Sequence, residues 1–157
     1  MDKNKRKYLI GWNIILLIAI PFLTMFYPAE GNCNQKVKVV VKTIHASKNS
    51  NSIDPRIRNL VKEFKSVVKY SGYKLLDEKN LSLTDGKKVV IQIPGGRTMS
   101  ITSKGVNGGR VSLEIEYFKG KNNKLTTSIG LPNNDDASLA GPEYDGGVLF
   151  FNILATF

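Results

Sequence analysis

Groups able to perform acid–base or nucleophilic chemistry are scarce in this chain, and none stands in a catalytic pattern. His45 is the only histidine. It shares an alternation phase with Val37, Val39 and Val41, which indicates an imidazole satisfied at the end of a strand rather than a base or a metal ligand. A serine triad would have to use this one histidine, and no G-x-S-x-G elbow surrounds any serine. The sequence therefore predicts no catalytic residue and favours a protein that is not an enzyme.

Metal and cofactor chemistry also lack a matching motif. Asp135 and Asp136 could bind a cation together with Glu143 or Asp145, but EF-hand spacing is missing and acidic loop residues are usually solvated. Three glycine pairs match neither a P-loop nor a G-x-G-x-x-G fingerprint, and hairpin turns explain them. These pairs lie at positions 95 and 96, 108 and 109, and 146 and 147. We expect no metal and no cofactor.

Four cations at helical spacing are the most plausible binding residues in the sequence. Successive members stand four, three and four positions apart: Arg58, Lys62, Lys65 and Lys69. Such spacing places side chains on one face of a helix. A basic face can dock on anionic lipid headgroups or on an acidic partner protein. The alternative interpretation, an ordinary solvated helix face, stays open.

A helix from Pro55 to about Tyr70 would position these cations. Asp54 precedes Pro55 as an N-cap followed by a proline in the first turn, and Ser71-Gly72 is expected to close the helix with an αL C-cap glycine. The apolar positions form the opposite stripe, which we expect to pack on a sheet. They are Ile57, Leu60, Val61, Phe64, Val67 and Val68.

The rest of the domain shows the period of two that is typical of strands. One half-exposed strand is predicted over 36–44, before the helix. Asp85-Gly86 predicts a type I′ hairpin, and the apolar run Val148–Leu154 predicts a central strand. Further strands are predicted over 81–83, 88–93, 97–102, 110–118 and 125–131. The pattern indicates an α+β fold: a mostly antiparallel β-sheet or small sandwich with one amphipathic helix packed on it.

An N-terminal transmembrane or signal helix is expected to precede this domain. Residues 8–29 contain no charge, and Lys3, Lys5, Arg6 and Lys7 stand directly before them. The positive-inside rule then places everything after Glu30 outside the cytoplasm, anchored to the inner membrane with its domain in the periplasm, or secreted there after cleavage.

Retention and cleavage of this segment both fit the sequence. Its length suits a spanning helix of about 20 apolar residues. Pro21 interrupts the run, and Ala29 and Gly31 stand two apart, as a signal-peptidase site requires. A lipid on Cys33 is a minor alternative, because Asn32 replaces the small residue that should precede such a cysteine.

The boundaries predict residues 1–31 as anchor or signal, 32–36 as a short linker and 37–157 as a single β-rich extracytoplasmic domain. The net charge is +10, and removal of the four basic and two acidic residues before position 32 leaves +8. Such a basic exported domain is expected to meet anionic lipids, acidic polymers or an acidic envelope protein. Nucleic acid is not expected on that side of the membrane.

Several segments together resemble small exported or membrane-anchored bacterial proteins of uncharacterised function, over roughly residues 37–154. The resemblance rests on 53–55 (IDP), 70–73 (YSGY), 93–97 (IPGGR), 140–142 (AGP) and 147–149 (GVL). It implies a β-rich envelope domain and brings no catalytic or ligand-binding residue with it.

The leading functional hypothesis is a non-enzymatic interaction or assembly module of a cell-envelope complex. Such a module would dock through the basic helix face or through an unpaired sheet edge. The alternative is a soluble periplasmic domain that binds an anionic small molecule, lipid or glycan. A minor alternative is an outer-membrane β-barrel, because the C-terminal residues alternate and end on Phe157, although the chain is short for eight strands.

Overall fold

The computed structural model describes residues 35–64, 69–119 and 123–157. Eight strands and one short helix account for most of them. The strands are β1 (Val37–Ser47), β2 (Gly72–Leu83), β3 (Lys88–Ile93), β4 (Arg97–Asn107), β5 (Arg110–Lys119), β6 (Asn123–Pro132), β7 (Asp135–Tyr144) and β8 (Gly147–Thr156). Between β1 and β2, a 3₁₀ turn at Pro55–Ile57 leads into helix α1 (Arg58–Phe64).

The strands form two four-stranded antiparallel sheets. The first sheet has the order β2-β1-β8-β7, and the second is the meander β3-β4-β5-β6. The apolar run that predicts a central strand becomes β8, which lies between β1 and β7. The prediction of a mostly antiparallel β fold with one helix is therefore confirmed for the described residues.

A shared apolar core joins the two sheets face to face. Alternate residues of β1 and β8 point into it, and Val39, Phe151 and Ile153 have no exposed surface. Strands β4 and β5 supply the opposite side of this core, including Ile101 and Leu113. Alternation with period two explains why the neighbours of these residues lie on the outer faces.

Helix α1 covers one end of the first sheet's outer face. Ile57 and Val61 are almost fully buried there, in a second apolar cluster with β1, β2 and β8. The sheet residues of this cluster are Ile44, Ala46, Tyr73, Leu75 and Phe150. The predicted apolar stripe of the helix therefore packs on a sheet at these two positions.

The helix is described as far as Phe64, whereas the sequence predicts it to about Tyr70. It begins as expected at the Asp54 cap, but Lys69 and Tyr70 are not helical, and residues 65–68 lie outside the described part of the chain. Gly72 is not a helix C-cap: it opens β2, where an added Cβ would lie 2.6 Å from the Ser50 carbonyl oxygen. Close approach of two chain segments, rather than a left-handed cap, accounts for this glycine.

The Asp85-Gly86 turn does not make the predicted hairpin. It connects β2 and β3, which lie in different sheets. The turn is tied to β4 instead, since the Gly86 amide donates to the Ser103 carbonyl at 2.9 Å. Gly86 has φ +70°, while Asp85 is not among the residues with positive φ, so the type I′ assignment is also wrong.

Strand β7 is missing from the sequence prediction. Its ladder with β8 shifts register between Ala140 and Glu143, where Gly141 and Pro142 form an irregularity. This break removes the regular alternation by which strands are recognised.

The predicted membrane segment, residues 8–29, lies outside the described residues, as do Cys33 and the boundary at residue 31. Within 35–64, 69–119 and 123–157, no helix combines the length and apolar character needed to cross a membrane.

Candidate functional site

The four predicted cations do not form one described helical stripe. Arg58 and Lys62 lie on α1 and are exposed. Lys69 is exposed but follows the helix in non-helical backbone, and Lys65 lies outside the described residues. The structure therefore shows two of the four on the helix.

Arg58 instead belongs to a groove between α1 and the outer face of the first sheet. This helix groove has a volume of about 560 Å³. Its charged lining consists of Lys42, Arg56, Arg58, Glu63 and Asp136. Lys62 does not line it. The sequence missed Lys42 and Arg56 because they approach Arg58 from a strand and from the 3₁₀ turn.

Two of the charged groups in the helix groove already have strong partners. Asp54 caps the helix start by accepting from the Arg56 amide at 3.0 Å, and its carboxylate also binds the Arg56 guanidinium at 2.7 Å. The hydrogen bond from the Arg56 side chain lowers the pKa of Asp54 to about 2. Asp136 accepts a hydrogen bond from the Asn152 amide. Lys42 and Arg58 form no salt bridge with any described carboxylate.

His45 has a structural role in the described fold. Its Nε2 hydrogen-bonds the Tyr144 carbonyl at 3.0 Å, which makes Nε2 the donor, and its ring meets the Tyr144 ring edge-on at 5.5 Å. The interpretation as a satisfied strand-end imidazole is confirmed.

Among the acidic residues near the end of the chain, Asp135 and Asp136 accept local hydrogen bonds through their carboxylates. The Asp135 carboxylate accepts from the Asp136 amide at 2.9 Å, and the Glu143 carbonyl accepts from Arg97 at 2.9 Å. Among the residues that the structure describes, no group of three or more His, Cys, Asp or Glu side chains is placed to hold a metal ion.

Strand β3 offers a different kind of surface, an open sheet edge. It pairs with β4 alone. The Ser103 amide donates to the Lys87 carbonyl at 3.2 Å, which identifies this opposed pair as hydrogen-bonded. Because bonded pairs alternate along an antiparallel ladder, the backbone groups of Lys88, Val90 and Gln92 point away from β4. A row of donors and acceptors therefore faces outward.

The side chains along this row suit a partner strand. Lys88, Val90 and Gln92 are all exposed on the outer face, and Val90 is 58% exposed, the highest fraction among the large apolar side chains that the structure describes. Val89, Ile91 and Ile93 turn inward to the shared core. No proline, glycine or acidic residue interrupts the strand, whose sequence is KVVIQI.

The other three sheet edges are interrupted or capped. In β2, the ladder with β1 shifts register, and Asp77 pairs with Lys79 at 2.9 Å on the strand itself. In β6, the Arg110 guanidinium covers the Gly130 carbonyl at 2.6 Å.

On the fourth edge, β7, side chains of the second sheet already bind two backbone carbonyls. The Tyr117 hydroxyl donates to the Ala140 carbonyl at 2.5 Å, and Arg97 takes the Glu143 carbonyl. Pro142 also removes a donor. Among these four edges, β3 alone shows no register shift, no proline and no carbonyl capped by a side chain, and its one charged residue, Lys88, is paired with Glu116.

Lysines on the outer face of the second sheet are largely neutralised. Glu116 on β5 pairs with Lys88 at 2.5 Å, with Lys124 and with the Ser100 hydroxyl. Lys104 pairs with the neighbouring Glu114 at 3.2 Å. These two glutamates therefore offset two of the three lysine charges on this face.

Comparisons with protein-family models, with curated proteins and with solved structures find no match.

The Glu116 cluster predicts a defined acid response. Hydrogen bonds from Lys124, Lys88 and Ser100 lower the pKa of Glu116 from 4.5 to about 2. Because the folded pKa lies below the unfolded one, the contribution of Glu116 to stability is complete above pH 4.5 and is lost as pH falls toward 2. Thermal unfolding midpoints of Glu116→Gln should fall less over this interval than those of the unmodified chain.

Glu63→Gln is the matched control, since Glu63 is exposed and forms no described salt bridge. Its midpoint should follow that of the unmodified chain. An equal pH response in Glu116→Gln would contradict a role for this ion cluster in the acid limb.

Proposed function

We propose that residues 37–157 form a non-enzymatic, extracytoplasmic interaction module of a cell-envelope complex, with residues 8–29 holding the chain at the inner membrane. The observation that carries this proposal is the uninterrupted edge of β3. Its outward backbone groups and the exposed Val90 are suited to the addition of a strand. The mechanism is docking, with main-chain hydrogen bonds for affinity and side chains on alternate positions for specificity.

The arrangement of the other edges supports this choice of surface. Natural sheets protect their edges with bulges, prolines and charges because an open edge pairs with any extended chain. Three edges of this domain carry a register shift, a proline or a capped carbonyl. Strand β3 carries none of these, and its one charged residue, Lys88, is paired with Glu116. We therefore take the unpaired edge of β3 as the surface on which a partner strand binds.

The proposed location has its own test in cells. We expect the natively expressed chain to have its full-length mass in the inner-membrane fraction, because residues 8–29 are uncharged over a length that spans a bilayer. Intact-mass measurement of separated membrane and soluble envelope fractions checks this. A mass beginning near Asn32, found in the soluble fraction, would contradict the anchor and favour a secreted domain.

Strand addition at β3 predicts a crosslinking pattern in cells. A photo-crosslinking amino acid at Gln92 should give a protein adduct, because this side chain stands beside the open edge. Val90→Pro should abolish the adduct by removing the outward amide, whereas Val90→Thr, which keeps that amide, should retain it. Gel shift and mass spectrometry of the adducts provide the measurement.

The same crosslinker at Asn80 is the control, since Asn80 is exposed on the interrupted edge of β2. An adduct at Gln92 that persists in Val90→Pro would show that contact does not depend on strand pairing. An adduct of equal yield at Asn80 would also contradict a role specific to β3.

The helix groove favours a second candidate function, the binding of an anionic small molecule, lipid headgroup or glycan. Lys42 and Arg58 face one volume of about 560 Å³ and have no described carboxylate partner. Two such cations attract an anion by an interaction that salt screens.

Inorganic phosphate is a suitable probe for this groove, titrated into the detergent-solubilised full-length chain. The double variant Lys42→Ala, Arg58→Ala should weaken binding by about fivefold or more, a change of about 1 kcal/mol. Lys62→Ala removes one positive charge from the helix outside the groove and should leave binding unchanged. Equal losses in both variants, or no dependence on salt, would contradict a specific anion site.

A further inference from the structure

We propose that the partner strand at the β3 edge is β3 of a second copy of this chain, in a two-fold symmetric dimer centred on Val90. This inference rests on the proposed function, because it requires that the edge accept a strand. It adds the identity and the register of the partner. The second sheets of the two copies would then form one continuous antiparallel sheet.

The spacing of the outward backbone groups is self-complementary. A two-fold axis beside Val90 places Val90 opposite Val90 of the second copy and Lys88 opposite Gln92 of the second copy. Every outward amide then meets an outward carbonyl, because residues that expose their backbone on one side form the hydrogen-bonded pairs of an antiparallel ladder. No outward group within β3 is left over.

Other registers pair this edge less well. After a shift by two residues, the outward backbone groups of either Lys88 or Gln92 have no residue of the second β3 strand opposite them. A shift by one residue sets outward groups against groups already bonded to β4. The pairing centred on Val90 is therefore the one that satisfies the edge completely, and register in a sheet follows such constraints.

The charges and apolar side chains fit the same register. Lys88 faces the neutral Gln92 of the second copy rather than another lysine, and it pairs with Glu116 at 2.5 Å within its own copy. Val90, 58% exposed in one copy, meets its own equivalent across the axis and loses water-accessible apolar surface. An identical strand therefore pairs with β3 without placing like charges opposite each other.

The expected affinity is low in dilute solution. A strand of six residues forms a contact smaller than the interfaces of about 1,200–2,000 Å² that characterise stable complexes. Confinement of both copies to one membrane by residues 8–29 raises their effective concentration and favours the dimer. The test therefore uses the full-length chain in membranes.

Cysteine crosslinking in native membranes reads the register directly. In a Cys33→Ser background, Cys33 being the only cysteine, Val90→Cys should form a disulfide-linked homodimer under mild oxidation. Opposed bonded residues lie about 5.5 Å apart between Cα atoms, within the range of a disulfide. Lys88→Cys alone should not link to itself, while Lys88→Cys co-expressed with Gln92→Cys should form the mixed dimer.

Control variants distinguish strand pairing at β3 from random collision of two copies in the membrane. Asn80→Cys, on the β2 edge, should remain monomeric. In the Lys88→Cys and Gln92→Cys mixture, Val90→Lys in both chains should abolish the link by opposing two like charges at an exposed position. Val90→Thr there should preserve it. A thermal midpoint within a few degrees of the parent shows that each variant is folded.

The outcomes distinguish this inference from the proposed function. Self-linking of Lys88→Cys as efficient as that of Val90→Cys would overturn the register. A Gln92 photo-adduct with a different protein, without a Val90→Cys homodimer, would overturn the dimer and leave strand addition standing. Absence of both would overturn the two proposals together.

Discussion

Burial of one continuous core between two sheets is the constraint on which the described structure depends. The chain has one cysteine, so no disulfide within it can offset the conformational entropy of folding. Stability therefore depends on buried apolar side chains such as Phe151 of β8, which has no exposed surface. Tyr117 joins the layers in two ways: its ring lies 5.8 Å from that of Phe151, and its hydroxyl reaches the Ala140 carbonyl.

The same packing decides which surfaces are left for partners. Once β1 and β8 occupy the centre of the first sheet, the strands at the edges must be closed by other means, and three of them are. Packing also determines which basic side chains have an acidic partner. On the second sheet, three lysines pair with Glu116 and Glu114, whereas Lys42 and Arg58 beside the helix form no described salt bridge. The overall charge of +10 therefore does not describe any single face.

Local patterns account for much of the fold. Alternation in β1 and β5 and the continuous apolar run in β8 identified strands correctly. Asp54 before Pro55 marked the helix start, because these signals involve residues close in the chain. The turn at Asp85-Gly86 was misread, since a turn does not reveal whether its strands enter one sheet or two. Strand β7 was not predicted, because the register shift at Gly141-Pro142 breaks its alternation. Of the predicted basic stripe, Arg58 and Lys62 lie on the helix, Lys69 lies in non-helical backbone, and Lys65 lies outside the described residues.

By itself, the sequence determined the strand-rich composition, the helix start, the inward phase of His45 and the expectation of a membrane segment over residues 8–29. All of these depend on local periodicity, capping or hydropathy. Only the tertiary structure decided that β3 is an open edge and that Lys42 joins Arg58 in one groove. Edges and grooves depend on strand order and on the packing of segments distant in the chain, and both follow from the burial of a common core.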